Sequence, residues 1–310
     1  MLRRSTLGIL AALAAYTTFG FSYIFSKIAL EVTTPFVLLS VRFIVAFLTL
    51  NLIVLSGKVK LNLKGKPIRY LLLLGLVQPV AYFICENYGL NMTSASYSGV
   101  ILGMVPMSGL ILGRVFLKEK VTVFQTVCAV CSVFGVALTA AGDPDSFSLL
   151  GTLLLIGAVF AGPLFNVISR SIADRFTAFE RTYVMFALGC VVFTAMALLQ
   201  NRKDLSVILV PLKVPSFWVA VLYLAVLSSV CAFLCLNFAM NHVSVSKTTI
   251  FSNFSTVITV LSGIFILGDS FTPVQIVGVV VILLSVFGVS MLKKAGDETV
   301  GEVSAESNAG

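Results

Sequence analysis

The sequence predicts an all-α integral membrane protein, ten transmembrane helices arranged as a 5+5 inverted-topology repeat. Three observations carry that prediction. The 310 residues are 58% apolar and only 11% charged, with a mean hydropathy of +1.06. A soluble domain covers itself with roughly 25% charged residues, so most of this surface must face lipid. Apolar runs long enough to cross a hydrocarbon core of ~30 Å recur along the whole chain. Finally, the same polar punctuation is written twice. Asn87/Asn237, Asn91/Asn241, Ser94/Ser244 and Ser96/Ser246 match at one offset of 150 in NYGLNMTSAS and NFAMNHVSVS.

The apolar runs fall at roughly 6–30, 35–55, 68–90, 96–117, 121–141, 149–169, 178–199, 217–240, 248–267 and 272–292. The opening MLRRSTLGILAALAAYTT has the basic start and apolar stretch of a secretory signal, but the run continues through Phe19–Leu30. That continuity predicts a retained first helix rather than a cleaved leader. The polar composition of 293–310 reads as a disordered cytoplasmic tail.

The formal charge of +8 is a matter of topology. If the N-terminus is inside and ten helices alternate, the inside segments hold sixteen Lys and Arg residues, and the outside loops only Arg202, Lys203 and Lys213. Such a bias places both termini in the cytoplasm and the protein in the cytoplasmic membrane. It also removes the reason to expect a nucleic-acid partner. Cys128 and Cys131 share one apolar helix, Cys231 and Cys235 another, and His242 is the sole histidine. These cysteines read as packing residues, and no metal or other cofactor is expected.

The offset of 150 continues through Gly113/Gly263, Leu117/Leu267, Glu119/Asp269, Thr122/Thr272 and Gln125/Gln275. Earlier in each half it becomes 143: Ser26-Lys27 faces Ser169-Arg170, Thr34 faces Thr177, and Phe36 faces Phe179. The seven extra residues fit the longer loop around 200–216. Two repeats, 6–142 and 149–292, with five helices each must enter the membrane in opposite senses, the architecture of secondary transporters that rock around a midplane site.

Local signals fit these elements. Thr122-Val-Phe-Gln125 and Thr272-Pro-Val-Gln275 read as capping boxes, and Pro273 suits a first helical position. The doubled Asn/Ser stretches supply hydrogen bonds for the turns after the third and eighth helices. Gly99/Gly103 and Gly109/Gly113 are GxxxG spacings that allow close helix approach. Pro106 between them should kink the fourth helix, and Gly162-Pro163 should interrupt the sixth.

Charges inside a bilayer are costly and therefore functional candidates. Lys27 lies near the outer end of helix one. Arg42 is about 10 Å below the outer face and Glu86 about 6 Å, at ~1.5 Å per residue. All three are expected in one outward-facing vestibule. Arg42 and Glu86 either form a structural ion pair, or Arg42 meets a substrate carboxylate with Glu86 as partner or proton acceptor, or Arg42 snorkels. Only one half carries these charges, since Met185 and Leu236 occupy the aligned positions. Toward the inner face Lys247 is a positive-inside residue or an anion contact. The deeper polar candidates are Ser22, Tyr23, Gln78, Tyr82, Asn166, Asn237 and Asn253.

Together, residues 6–292 resemble the drug/metabolite transporter superfamily, with EamA-type transporters as the most similar group. The carrying residues are Phe19-Gly20 with Ser22, Arg42, Tyr88 through Ser96, Pro106, Glu119, Thr122 and Gln125, then Asn237–Ser246, Asp269, Thr272 and Gln275. Thr256 and Phe19 depart from the proline and tryptophan common in such proteins. The resemblance implies alternating-access movement of small metabolites, often amino acids or related compounds, across a cytoplasmic membrane. Export is the expected direction, and homo-oligomerisation is compatible with it. The rival readings are a passive channel or a membrane receptor without alternating access. The sequence offers no nucleophile–base set and no HExxH, so an enzyme is not expected.

Overall fold

The computed structural model describes residues 4–57, 59, 61–116, 122–141, 148–242, 252–268, 272–285 and 287–288, and these contain helices and no β-strand. The chain opens with α1 (Arg4–Leu30) and α2 (Pro35–Leu55), followed by α3 (Arg69–Asn91). The fourth apolar stretch is split into α4 (Ala95–Leu102) and α5 (Val105–Phe116). Then come α6 (Val123–Ala141), α7 (Leu149–Ser171), α8 (Ala178–Gln200) and α9 (Pro215–His242). The last two described are α10 (252–267) and α11 (Pro273–Ser285). Six of them, α1, α2, α3, α7, α8 and α9, are long and apolar enough to cross a membrane. The others are shorter within the described residues.

Helix starts follow the capping logic. Ser94 accepts from the Tyr97 amide at 3.1 Å to open α4, and Ser148 accepts from Gly151 at 3.0 Å to open α7. Thr272 and Gln275 form the expected reciprocal pair, at 2.8 Å from the Thr272 amide and 3.4 Å from the Gln275 amide. Thr177 and Glu180 make a further capping box at the start of α8. The Gln125 side chain, Glu119, Asp269, Ser244 and Ser246 lie outside the described residues.

The prolines behave differently from one another. Ahead of Pro106 the ladder breaks at Gly103-Met104, as a missing N–H requires. Pro163 removes one bond from the ladder without ending its helix, since α7 runs on through it. The carbonyl it frees is that of Val159, and the Ser108 hydroxyl donates to it at 2.6 Å, so a neighbouring helix replaces the lost bond. In α3, Gln78 is forced to an extended backbone (φ −147°, ψ 118°) just before Pro79, the conformation a following proline favours. Around it Leu76–Ala81 forms wide π-type turns. Tyr223–Cys231 in α9 does the same, and it contains the positions 150 residues further on.

Side-chain bonds fix how the rods lie. Tyr183 donates to Asn51 at 2.9 Å, and Ser40 meets Thr194 at 3.1 Å. The start of α8 is thus at the end of α2 and the reverse, so α2 and α8 are antiparallel. At one end of the bundle the Lys27 ammonium donates to the carbonyls of Leu90, at 3.0 Å, and Thr93. At the opposite end the Arg170 guanidinium donates to the Met240 carbonyl. Donor and acceptor in these two caps stand at the offsets found in the sequence, Lys27/Arg170 at 143 and Leu90/Met240 at 150.

Close approaches are made by small residues. A Cβ on Gly99 would sit 2.5 Å from Thr259, one on Gly103 2.6 Å from Thr256, and one on Gly135 2.8 Å from the Gly278 carbonyl. The first GxxxG therefore packs α4 against α10. In the second, a Cβ on Gly109 meets nothing within 4 Å among the described residues. A large aromatic cluster, including Phe43, Phe83, Phe165, Phe186, Phe193 and Phe233, fills the bundle centre.

Candidate functional site

A cavity of about 80 Å³ opens at the bundle centre, room for several water molecules. Its polar lining comes mainly from α1 (Ser22, Tyr23), α2 (Arg42) and α3 (Gln78, Tyr82, Glu86). The walls contributed by the C-terminal half are Phe165 and Asn166 from α7, Ser228, Phe233 and Leu236 from α9, and Ser255, Thr256 and Thr259 from α10.

The lining has a pattern. Phe19/Gly162, Ser22/Phe165 and Tyr23/Asn166 all line it, and each pair is 143 residues apart. Gln78/Ser228, Phe83/Phe233, Glu86/Leu236 and Val105/Ser255 line it as well, each pair 150 apart. Phe83 and Phe233 face each other with ring centroids 6.2 Å apart. The two distorted stretches of α3 and α9 meet the cavity through Gln78 and Ser228. Distorted backbone at membrane depth is tolerated where it lines a cavity, and π-type turns recur at functional sites.

Arg42 is 1% exposed. Its Nε donates to Ser229 Oγ at 2.9 Å and its Nη2 to Ser228 Oγ at 3.4 Å. Its guanidinium carbon lies 4.4 Å from the Phe83 ring centre, a cation–π contact. Glu86 Oε1 accepts from the Tyr82 hydroxyl at 3.0 Å, and Oε2 from Asn87 Nδ2 at 3.4 Å. Tyr82 in turn meets the Tyr23 hydroxyl at 3.4 Å.

The structure corrects several sequence expectations. Arg42 and Glu86 form no ion pair: Lys66 and Glu180 do, at 2.7 Å, but the Arg42 head is held by serines instead. Nor does Arg42 snorkel, since it lies at the buried centre. Lys27 is not in the vestibule; its ammonium is drawn to the carbonyls that end α3. Asn237 is not in the cavity either. It accepts from Ser169 at 2.7 Å and donates to Thr182 at 2.9 Å. Lys247 and the Asn253 side chain lie outside the described residues. The cavity thus brings together Ser22, Tyr23, Arg42, Gln78, Tyr82, Glu86 and Asn166.

Sequence reasoning missed Ser228 and Ser229, which sit in an otherwise apolar helix. The offset of 150 from the Gln78-Pro79 break could have found them. Arg181 was one of the sixteen cations assigned from the sequence to the inside segments. Arg181 is in fact 0% exposed and donates to Ser169 O (2.6 Å), Ser169 Oγ (2.7 Å), Asn237 O (2.9 Å), Asn241 Oδ1 (2.5 Å) and Thr177 O (3.5 Å).

Apolar membrane-length helices around a buried, mixed-polarity cavity define a polytopic membrane protein with a solute-sized central site. The particular family follows from comparison. The EamA-like transporter family model matches residues 6–141 and again 149–291, and the chain belongs to that family. It is 32% identical over 290 residues to uncharacterized transporter YcxC of Bacillus subtilis (strain 168), covering 92% of this chain and 93% of that one. Uncharacterized transporter YetK of the same organism is 27% identical over 293 residues, covering 92% and 87%. A solved crystal structure with 14% identity superposes at a TM-score of 0.64 over 94% of this chain and 98% of its own, a likeness of fold alone. The protein is a membrane transporter with a small-molecule substrate.

Proposed function

We propose that the protein is a secondary transporter that moves small polar or amphipathic metabolites, amino acids or related compounds, out of the cell by alternating access. Ten helices in two inverted five-helix repeats, 6–142 and 149–292, rock around the central cavity, with both termini in the cytoplasm. The observation that carries this reading is the lining of the cavity by repeat-related pairs, with Phe83 and Phe233 in contact across it. Residues related by a two-fold axis can touch only near that axis, which is where inverted-repeat transporters bind solute. The antiparallel α2 and α8, the matched caps at Lys27 and Arg170, and the doubled family match support the same arrangement.

The polar lining supplies the binding groups: Arg42, Glu86, Tyr82, Tyr23, Ser22, Gln78 and Asn166. The aromatic walls accept an apolar body. Solute binding shifts the balance between inward-open and outward-open states only by its differential affinity for them. The test is solute counterflow in proteoliposomes across a metabolite panel. A carrier shows uptake of labelled solute driven by unlabelled solute inside, and a passive channel does not. Absence of counterflow for every member of the panel would sink the proposal.

A further inference from the structure

Resting on that reading, the geometry points to the chemical class of the solute: we propose that Arg42 is an anion subsite, and that the solutes moved carry one carboxylate on a small apolar body, with an ammonium group dispensable.

Two observations carry this. First, Arg42 is a buried cation without a contacting anion. An arginine carries five N–H donors in a planar fork. Among the described residues, only Nε and Nη2 find partners, both neutral serine hydroxyls, and Nη1 makes no hydrogen bond. A buried charge is costly unless paired and hydrogen-bonded. A planar fork with one edge free matches a carboxylate, and bonds between two charged groups are the strong ones. Ser228, Ser229 and the Phe83 ring act as positioning groups that hold the guanidinium in one orientation.

Second, the carboxylate in the same cavity is already engaged. Glu86 accepts from Tyr82 and from Asn87 through its two oxygens, so it makes no comparable demand for a cation. The opposite wall sets Phe165, Phe233 and Leu236 beside the uncharged Asn166, Ser255, Thr256 and Thr259; it presents no charge and suits an uncharged body. The cavity therefore asks for a head-and-body solute, its anionic end toward α2 and α3.

A matched set of small probes tests the proposal by isothermal titration of the purified full-length protein in detergent. The set is isovalerate (carboxylate only), L-valine (carboxylate and ammonium), isobutylamine (ammonium only) and isovaleramide (neutral). Isovalerate and L-valine should bind, with isobutylamine and isovaleramide at least about tenfold weaker. Arg42→Gln should weaken isovalerate by about tenfold or more. Glu86→Gln should tighten it, because a like charge leaves the cavity, whereas a merely structural Glu86 would weaken both acids alike. If Arg42→Gln does not fold, Arg42→Lys and the wild-type ranking decide. The inference is overturned if isovalerate fails to bind, if isobutylamine or isovaleramide binds as tightly, or if loss of the Arg42 fork changes nothing. Proteoliposome flux of isovalerate separates the two readings. Arg42-dependent binding without flux would remove the transporter mechanism and leave the subsite. Flux indifferent to Arg42 would do the reverse.

Discussion

Arg42 and Arg181 both lie on the second helix of their half, and both are buried, yet their surroundings differ. Arg181 spends all three nitrogens on the backbone and side chains of Thr177, Ser169, Asn237 and Asn241. Arg42 has two serine hydroxyls and an aromatic face, and it lines the cavity. The asparagines repeat the contrast. Both amide ends of Asn237 are used, while the buried Oδ1 of Asn87, its repeat partner, has no partner among the described residues. The C-terminal residues thus close their polar network, whereas Arg42 keeps donors unused beside the cavity and Asn87 keeps a buried acceptor unused. If the two halves are related as proposed, such a division is open to them, because a site shared by both needs its charge from only one.

Replacing each arginine in turn tests that difference most severely. Arg181→Met should lower stability by roughly 3 kcal/mol or more, since it strands several buried acceptors at once. Arg42→Met should alter stability by less than about 1 kcal/mol, because it removes a buried charge that has no ion-pair partner and is costly to keep out of water, while abolishing solute flux. Thermal unfolding in detergent alongside proteoliposome uptake reads both. Equal destabilisation by the two substitutions would break the comparison.

A smaller effect separates the two glycine pairs. Gly99→Ala, whose Cβ would meet Thr259 at 2.5 Å, should cost roughly 1–3 kcal/mol by overpacking. Gly109→Ala, with nothing within 4 Å, should stay within about 0.5 kcal/mol of wild type. Melting temperatures of the two variants check the ranking.

The caps should sharpen the repeat itself. Lys27→Met and Arg170→Met each remove a cation from the carbonyls that end a third helix, and each should cost about 1 kcal/mol. Similar shifts in chemical-denaturation midpoint are expected. A large loss at one position and none at the other would argue against equivalent construction.

The helices were legible because lipid imposes a simple code: apolar length and cap residues each act locally. The offset of 150 was equally readable, and it relates the lining residues Phe83 and Phe233 without any knowledge of their contact. Side-chain direction was not readable. Arg181 sits three residues after Ala178, the first of its helix, and looked solvated, because nothing local says that Ser169, Asn237 and Asn241 converge on it. Lys27 looked like a cavity residue for the same reason: its depth was right, but its rotation about the helix was unknown. The lost ladder bond at Pro163 was readable, but the group that replaces it was not, because Ser108 lies on another helix.

Whether the cavity serves both membrane faces through two inverted halves is tested by side-resolved labelling of Ser22→Cys and Phe165→Cys, one of the pairs 143 residues apart that line it. The six native cysteines are first replaced, and a membrane-impermeant maleimide is then added to one face of oriented vesicles at a time. Each position should react from either face, and labelling from one face should block labelling from the other. Reaction confined to a single face at both positions would contradict it.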